Sequence, residues 1–326
     1  MCTSITFTAN NNHYFGRNFD YEFSYHEVVT ITPRNYLFNF RKVNDLSSHY
    51  AIIGMAIVVE NYPLYYDAMN EHGLSMAGLN FPGNTDYKEF VEEKDNVTPF
   101  ELIPWILGQC RTVKEARSLL EKINLVKINF SDEFPLSPLH WLLADKEESI
   151  VIECVKKGLK IYDNSIGVLT NNPPFNYQMF NLNNYVMLST KNPENHFAKK
   201  IDLETYSRGM GGIGIPGDLS SMSRFVKATF TKFNSIVSGD SEEANISQFF
   251  HILGSVEQQN GLCDVGNKRY EHTIYSSCYN LENNTLYYKT YNNSQINSVM
   301  LGKEDLETDV LISYQLKKDN NINNIN

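Results

Sequence analysis

Residues 3–8 (TSITFT) and 13–18 (HYFGRN) read as two strands, and the step Asn10-Asn11-Asn12 between them is turn chemistry. No other feature constrains the fold so tightly, because a link this short joins strands only in antiparallel fashion. With Thr8 facing His13, paired positions sum to about 21, and Cys2 lies across from residues 17–20.

That register gives Cys2 a meaning it lacks alone. Once the initiator methionine is removed, Cys2 carries a thiol and a free α-amine, which titrate near ~8.5 and ~8. One residue then supplies nucleophile and base together. Arg17 and Asp20 fall in the facing window, within FGRNFDY. A guanidinium near a thiol lowers its pKa, and a carboxylate can hold or orient the amine. The same two side chains also suit a surface ion pair, worth at most ~1 kcal/mol.

Composition bounds the rest. The 326 residues, 42% apolar and 20% charged, support a sizeable core in one large domain or two ordinary ones. A net charge of −10, with no basic run, argues against nucleic acid as a partner. The five cysteines form no CxxC pair and the eight histidines no ligand spacing, so neither a metal site nor a disulfide framework is indicated. Cys110, Cys154, Cys263 and Cys278 read as small core residues. A basic leader with an apolar run is absent, as is any stretch of 18 apolar residues, so the expectation is a cytoplasmic protein without membrane insertion. Tyr and Phe, 20 and 19 against 2 Trp, are numerous enough that a share is expected to line a large apolar cavity.

Further strands are expected at 27–33, 51–60, 64–70 and 74–79, the last closed by Asn80. An amide there suits a pocket-facing group and, equally, a turn-former. Thr98-Pro99-Phe100-Glu101 and Thr112-Val113-Lys114-Glu115 read as capping boxes, the first with Pro at the first helical position. The second helix carries an apolar stripe at Val113, Ala116, Leu119, Leu120 and Ile123. Strands at 139–144, 149–155 and 159–163 suggest a second antiparallel sheet, and the loop 129–138 is placed to border a cleft. The strand 166–170 ends at Asn171-Asn172-Pro173-Pro174. Helices follow at 175–187, 220–235 and 244–257, and strands at 270–280 and 285–291. Gly209, Gly211 and Gly214 match a dinucleotide fingerprint only by spacing, since no strand leads in and Pro216 follows. Arg224 sits in a first helical turn, where a cation gains nothing from the helix dipole; a functional contact or a surface salt bridge explains it. No linker divides residues 1–316, and the tail 317–326 (KKDNNINNIN) is too polar to pack.

Met1-Cys2-Thr3, FGRNFDY, AGLN, LTNNP and SRFVK, in that order, resemble the choloylglycine hydrolase family of N-terminal nucleophile hydrolases, over roughly residues 2–315. The resemblance implies an α+β four-layer αββα sandwich, where composition alone says only mixed α and antiparallel β. It also implies Cys2 as nucleophile, Arg17 and Asp20 as its supports, Asn80 and Asn171 as active-site amides, and Arg224 as a distal arginine. No metal or organic cofactor is implied, and a homotetramer is. Asn80 matches the bile salt hydrolases, whereas the penicillin V acylase branch tends to carry Tyr there. The expected activity is hydrolysis of glycine- or taurine-conjugated bile salts through a Cys2 thioester; penicillin V acylase and a non-catalytic carrier of apolar ligands are the alternatives. A steroid would be gripped by apolar contact, at about 25 cal/mol per Å² buried. Phe19, Tyr21, Tyr25, Tyr65, Phe130 and Leu136 are the candidate wall, each also suited to the core.

Overall fold

The computed structural model describes residues 1–320 and 322–326. The chain opens with β1 (Cys2–Ala9) and β2 (Asn12–Tyr21), whose register pairs Thr8 with His13 and Cys2 with Phe19, as the turn predicts. Asn10 and Asn11 hold positive φ, 49° and 59°, the backbone a tight hairpin needs and Asn tolerates. There follow β3 (Val28–Thr32), β4 (Ile52–Val59), β5 (Tyr62–Asn70) and β6 (Ser75–Asn80). A short parallel pair, β7 (Asp95–Val97) and β8 (Ile123–Leu125), brackets α1 (Leu102–Leu107) and α2 (Val113–Leu120). Next come β9 (Leu139–Ala144), β10 (Ser149–Val155), β11 (Gly158–Asp163) and β12 (Val168–Leu169), then α3 (Phe175–Asn181), α4 (Ser221–Asn234) and α5 (Glu242–Gly254). A small ribbon, β13 (Asp264–Gly266) with β14 (Arg269–Tyr270), precedes β15 (His272–Asn280), β16 (Thr285–Thr290), β17 (Asn293–Met300) and β18 (Ile312–Gln315).

Two antiparallel sheets result, ordered β12-β1-β2-β15-β16-β17 and β11-β10-β9-β6-β5-β4-β3-β18. One apolar core joins Phe15, Met55, Leu79 and Leu142 of the sheets to Phe225, Phe249 and Leu253 of α4 and α5. The other packs Leu102, Ile106, Val113 and Leu120 of α1 and α2 on Ile52, Met76, Trp141 and Leu143 of the larger sheet. The layers run α, β, β, α, the sandwich the resemblance implies.

β2 lies at the centre and is buried on both faces from Tyr14 to Asp20. Side chains alternate across a strand. Phe15 and Phe19 accordingly face Tyr279 and Tyr66 between the sheets, while Tyr14 meets Phe249 and Asn18 donates to the Leu253 carbonyl on the α5 side. Gly16 is required by close approach, because a Cβ there would stand 2.0 Å from the Ser277 carbonyl oxygen.

Several expectations need correction. The hairpins of 139–163 form no separate sheet. β9 pairs with β6, from Ser75 opposite Ala144 to Asn80 opposite Leu139, so these strands extend the larger sheet; the other is built from the first hairpin and the C-terminal strands. The helix expected from Pro99 begins at Leu102, because Pro104 has no N–H for the residue-100 carbonyl, and Trp105 makes the first bond back to Glu101 at 2.9 Å. Glu101 still accepts from the Thr98 N–H at 3.2 Å, half of the expected capping box. Ile123 belongs to β8, not to the stripe of α2. β17 and β18 lie beyond the last expected strand; as polar edge strands they carry little apolar alternation. Met210–Gly212 is a single 3-10 turn with no strand ahead of it. The tail, expected free from residue 317, is held at Lys317, whose N–H donates to the Tyr288 hydroxyl at 3.1 Å. Residue 321 of that tail lies outside the described residues.

Candidate active site

Cys2 begins β1, lines a cavity of about 480 Å³ and is only 4% exposed. Its backbone nitrogen donates to Asn171 Oδ1 at 2.8 Å, and its Sγ lies 4.0 Å from the Asp20 carbonyl oxygen. Met1 continues the ladder: its terminal ammonium donates to the Asp20 carbonyl at 2.9 Å and pairs with Glu271, and its carbonyl accepts from the Asp20 N–H at 3.0 Å. Burial holds that ammonium's pKa below the ordinary value, against the pull of Cys2 and Asp20.

Arg17 shares the thiol's face of the sheet. Its Nη1 donates to the carbonyls of Gly78 (2.7 Å) and Tyr66 (3.1 Å). Its guanidinium lines the cavity together with Cys2, and Nη2 has no hydrogen-bond partner among the described residues. Burial works to strip its proton, but the Cys2 thiol, Tyr275 and Asp67 outweigh this and hold its pKa above the usual arginine range. Asp67 is the counter-charge, 4.0 Å away and bound by the hydroxyls of Tyr275 (2.5 Å), Ser277 (2.8 Å) and Tyr279 (2.8 Å).

Asp20 points the other way. Three residues along β2 from Arg17, its carboxylate turns toward the helices and accepts from Thr273 Oγ1 (2.6 Å) and Gln258 Nε2 (3.1 Å). Burial raises its pKa, opposed by Arg224, the terminal ammonium, Thr273 and Arg17. What it offers the N-terminus directly is its main-chain carbonyl.

The two asparagines come from different sheets. Asn80 ends β6 and lines the cavity; its side-chain amide makes no hydrogen bond among the described residues. Asn171 follows β12, and its Nδ2 donates to the Asn80 carbonyl at 2.7 Å. Arg224, fully enclosed, reaches from α4 to the Cys2 carbonyl (2.6 Å), Thr3 Oγ1 (2.6 Å) and Asn171 Oδ1 (2.8 Å), with Nε on the Leu219 carbonyl (2.9 Å). Burial depresses its pKa while Asp20 and Cys2 push it back up. This explains a cation in a first helical turn: its partners lie beyond the helix.

Phe19, Tyr21, Tyr25, Tyr65, Phe130 and Leu136 all border the same cavity, with Cys2, Arg17, Asp20 and Asn80 at its polar end. Asn171 and Arg224 touch Cys2 from behind. Phe19 and Tyr65 are also core-packed, each 7% exposed, and Tyr65 spends its hydroxyl on Thr32 at 2.7 Å. The sequence reading passed over Tyr66, whose ring centroid lies 4.8 Å from that of Phe19, and Asp67. A lone carboxylate inside the apolar run LYYDAMN was the available signal for Asp67.

A family model described as linear amide C–N hydrolases, choloylglycine hydrolase family, matches residues 2–314. The chain is 64% identical over 319 residues to the bile salt hydrolase/transferase of Lactiplantibacillus plantarum, covering 98% of each. It is 36% identical over 330 residues to the bile salt hydrolase/transferase of Clostridium perfringens, covering 100% of each. The crystal structure of a mutant conjugated bile acid hydrolase from Clostridium perfringens superposes with a TM-score of 0.93 at 36% identity, covering 100% of both chains. Penicillin V acylase from Agrobacterium tumefaciens, at 19% identity and a TM-score of 0.76 over 98% of this chain and 92% of its own, shares the fold.

Proposed function

The chain belongs to the choloylglycine hydrolase family of linear amide C–N hydrolases, and we infer that it is a bile salt hydrolase, cleaving the amide of conjugated bile salts through a thioester on Cys2. One observation carries the mechanism. The nitrogen of Cys2 sits against Asn171 Oδ1, and Cys2 shares with Arg17 the lining of a cavity whose walls are mostly aromatic and aliphatic.

With Met1 removed, the Cys2 nitrogen becomes a free amine, oriented by Asn171 Oδ1, while the Asp20 carbonyl, which held the Met1 ammonium, lies beside the sulfur. It takes the thiol proton while Arg17 favours the thiolate, and sulfur adds to the substrate carbonyl. The unoccupied amide of Asn80 and the second N–H of Asn171 Nδ2 receive the oxyanion, where one such donor is worth about 3–4 kcal/mol. The amine then gives its proton to the departing amino acid. Water, deprotonated by the same amine, releases the free acid and restores the thiol. Asp20 holds the amine's side of this network and Arg224 keeps Cys2, Thr3 and Asn171 in register. The steroid lies against Phe130, Leu136 and their neighbours.

The chain acts as a homo-oligomer, by preference a tetramer. Phe180, Val186, Met187, Phe197 and Tyr206, each at least 75% exposed, gather on α3 and the segment after it, an apolar surface suited to a second copy. Its place is the cytoplasm, which five unpaired cysteines suit. No helix among the described residues is long and apolar enough to cross a membrane.

The test is release of glycine or taurine from glycocholate and taurocholate, beside penicillin V. Cys2→Ser is expected to lose nearly all release while keeping its fold, and the active parent is expected to show an intact mass without Met1. Release by an enzyme that retains Met1 would remove the amine from the mechanism.

A further inference from the structure

His140 and Glu153 form a buried pair to which the mechanism above gives no task. Both are 0% exposed, and His140 Nδ1 lies 3.1 Å from Glu153 Oε1. The other ring nitrogen, Nε2, lies 2.8 Å from the carbonyl of Thr170. A peptide carbonyl can only accept, so Nε2 carries a proton. The imidazole also stacks on Phe81, with centroids 4.2 Å apart and planes within 5°. Glu153 Oε1 accepts in addition from the Phe175 N–H at 3.0 Å.

These contacts fall on the neighbours of the two asparagines. Phe81 follows Asn80, and Thr170 precedes Asn171. Phe175 closes the turn through Pro173 and Pro174 on which Asn171 stands. One ring bears on both segments, and its carboxylate partner grips the far end of the turn. Two side-chain hydrogen bonds also join the segments directly, Asn171 Nδ2 to the Asn80 carbonyl and Asn172 Nδ2 to the Pro82 carbonyl, each at 2.7 Å, and only the first touches the two asparagines themselves. A buried His–Glu pair is costly to enclose and has no contact with the cavity. A purely apolar filler would serve packing as well.

We propose that His140, oriented by Glu153, is the positioning residue of the oxyanion site: it sets the separation and aim of the Asn80 and Asn171 amides without touching substrate. This rests on the reading that those two amides receive the oxyanion. A displacement of such donors by about 1 Å is enough to cost on the order of 100-fold in rate, while ground-state binding of the steroid, made elsewhere, is untouched.

The test compares His140→Phe, which keeps a ring against Phe81 and removes both nitrogens, with His140→Gln, which keeps a donor for the Thr170 carbonyl. With glycocholate, H140F is expected to lose about 10–100-fold in kcat with KM within about threefold, and H140Q to recover most of that loss. The aldehyde of cholic acid forms a hemithioacetal with Cys2 and so needs the same amides. Its affinity is expected to fall in H140F by the factor lost from kcat/KM. Alkylation of Cys2 by iodoacetamide, which builds no oxyanion, is expected to keep the parent's rate. Unchanged kcat in H140F overturns the proposal; so does a parallel fall in alkylation rate and rise in KM, which would mark general loosening. Should H140F not fold, Glu153→Gln carries the test, leaving ring and stack in place: a several-fold fall in kcat alone supports the proposal and an unchanged kcat overturns it. Asn171→Ala separates the two levels, because a normal kcat there removes the oxyanion assignment itself, whatever His140 does.

Discussion

Two cations on α4, the enclosed Arg224 and the half-buried Lys232, hold the start and the middle of β1 and differ in what surrounds them. Arg224 donates to the carbonyls of Cys2 and Leu219, to Thr3 Oγ1 and to Asn171 Oδ1. About two helical turns on, Lys232 donates, among the described residues, only to Thr6 Oγ1 (3.1 Å) and the Ile166 carbonyl (2.5 Å), and burial pushes it down to about 8. The cleft at the Lys232 end is the larger, about 800 Å³ against about 480 Å³, yet it is bordered by Asp145, Glu147, Glu148 and Asp163, and no cysteine is among the described residues that line it. Volume does not mark the reactive end of the strand. Convergence does: a thiol, an oriented nitrogen and two amides meet where apolar walls begin.

Substitutions at the two ends sharpen the contrast. The largest effect is expected from Arg224→Met, which removes a donor from four acceptors, on Cys2, Thr3, Asn171 and Leu219. Hydrolysis should fall at least about 1000-fold and stability by about 3 kcal/mol or more, read from turnover and urea unfolding. A variant with normal Tm and turnover would make Arg224 a spectator. Next is Asn171→Ala, expected to lower kcat on the order of 100-fold with KM nearly constant. A raised KM at normal kcat would move Asn171 to ground-state binding. Phe130→Ala, in the apolar wall, should do the reverse, raising KM about tenfold for glycocholate with kcat kept, as lost burial of one aromatic contact predicts.

Lys232→Met should change turnover least, under about twofold. Its signature is pH dependence of stability. Burial holds the folded pKa at about 8 against 10.5 in the free side chain, so between those values the unfolded chain binds a proton that the folded chain has released. The parent's stability therefore rises relative to K232M across that interval, by about 1–2 kcal/mol, and the deficit is full below pH 8. Equal gaps at pH 7 and pH 10 would show that Lys232 titrates as a free lysine.

Much of the reactive end was legible in the chain itself. Thr98–Glu101 shows the limit of local signals: half of its capping box forms, but Pro104 three residues on delays the helix. Asn80 was ambiguous between pocket and turn, and its strand placed it at the cavity only because β9 lies alongside. Tyr66 and Asp67 went unread because an apolar strand does not announce which of its residues will meet a partner from β2 or β15.

The sequence by itself determined the first hairpin and the window of residues 17–20 across from Cys2, since a short turn and a period of two leave little freedom in register; Phe19 takes the facing place. It likewise marked the strand ends where Asn80 and Asn171 stand. Tertiary structure decided which face each side chain took and which strands became neighbours. Arg17 meets the thiol while Asp20, across the pleat, turns to Thr273 and Gln258, and the hairpins of 139–163 join β6 rather than standing apart. Pairing between distant strands depends on the surfaces they bury together, and those exist only once the layers have closed.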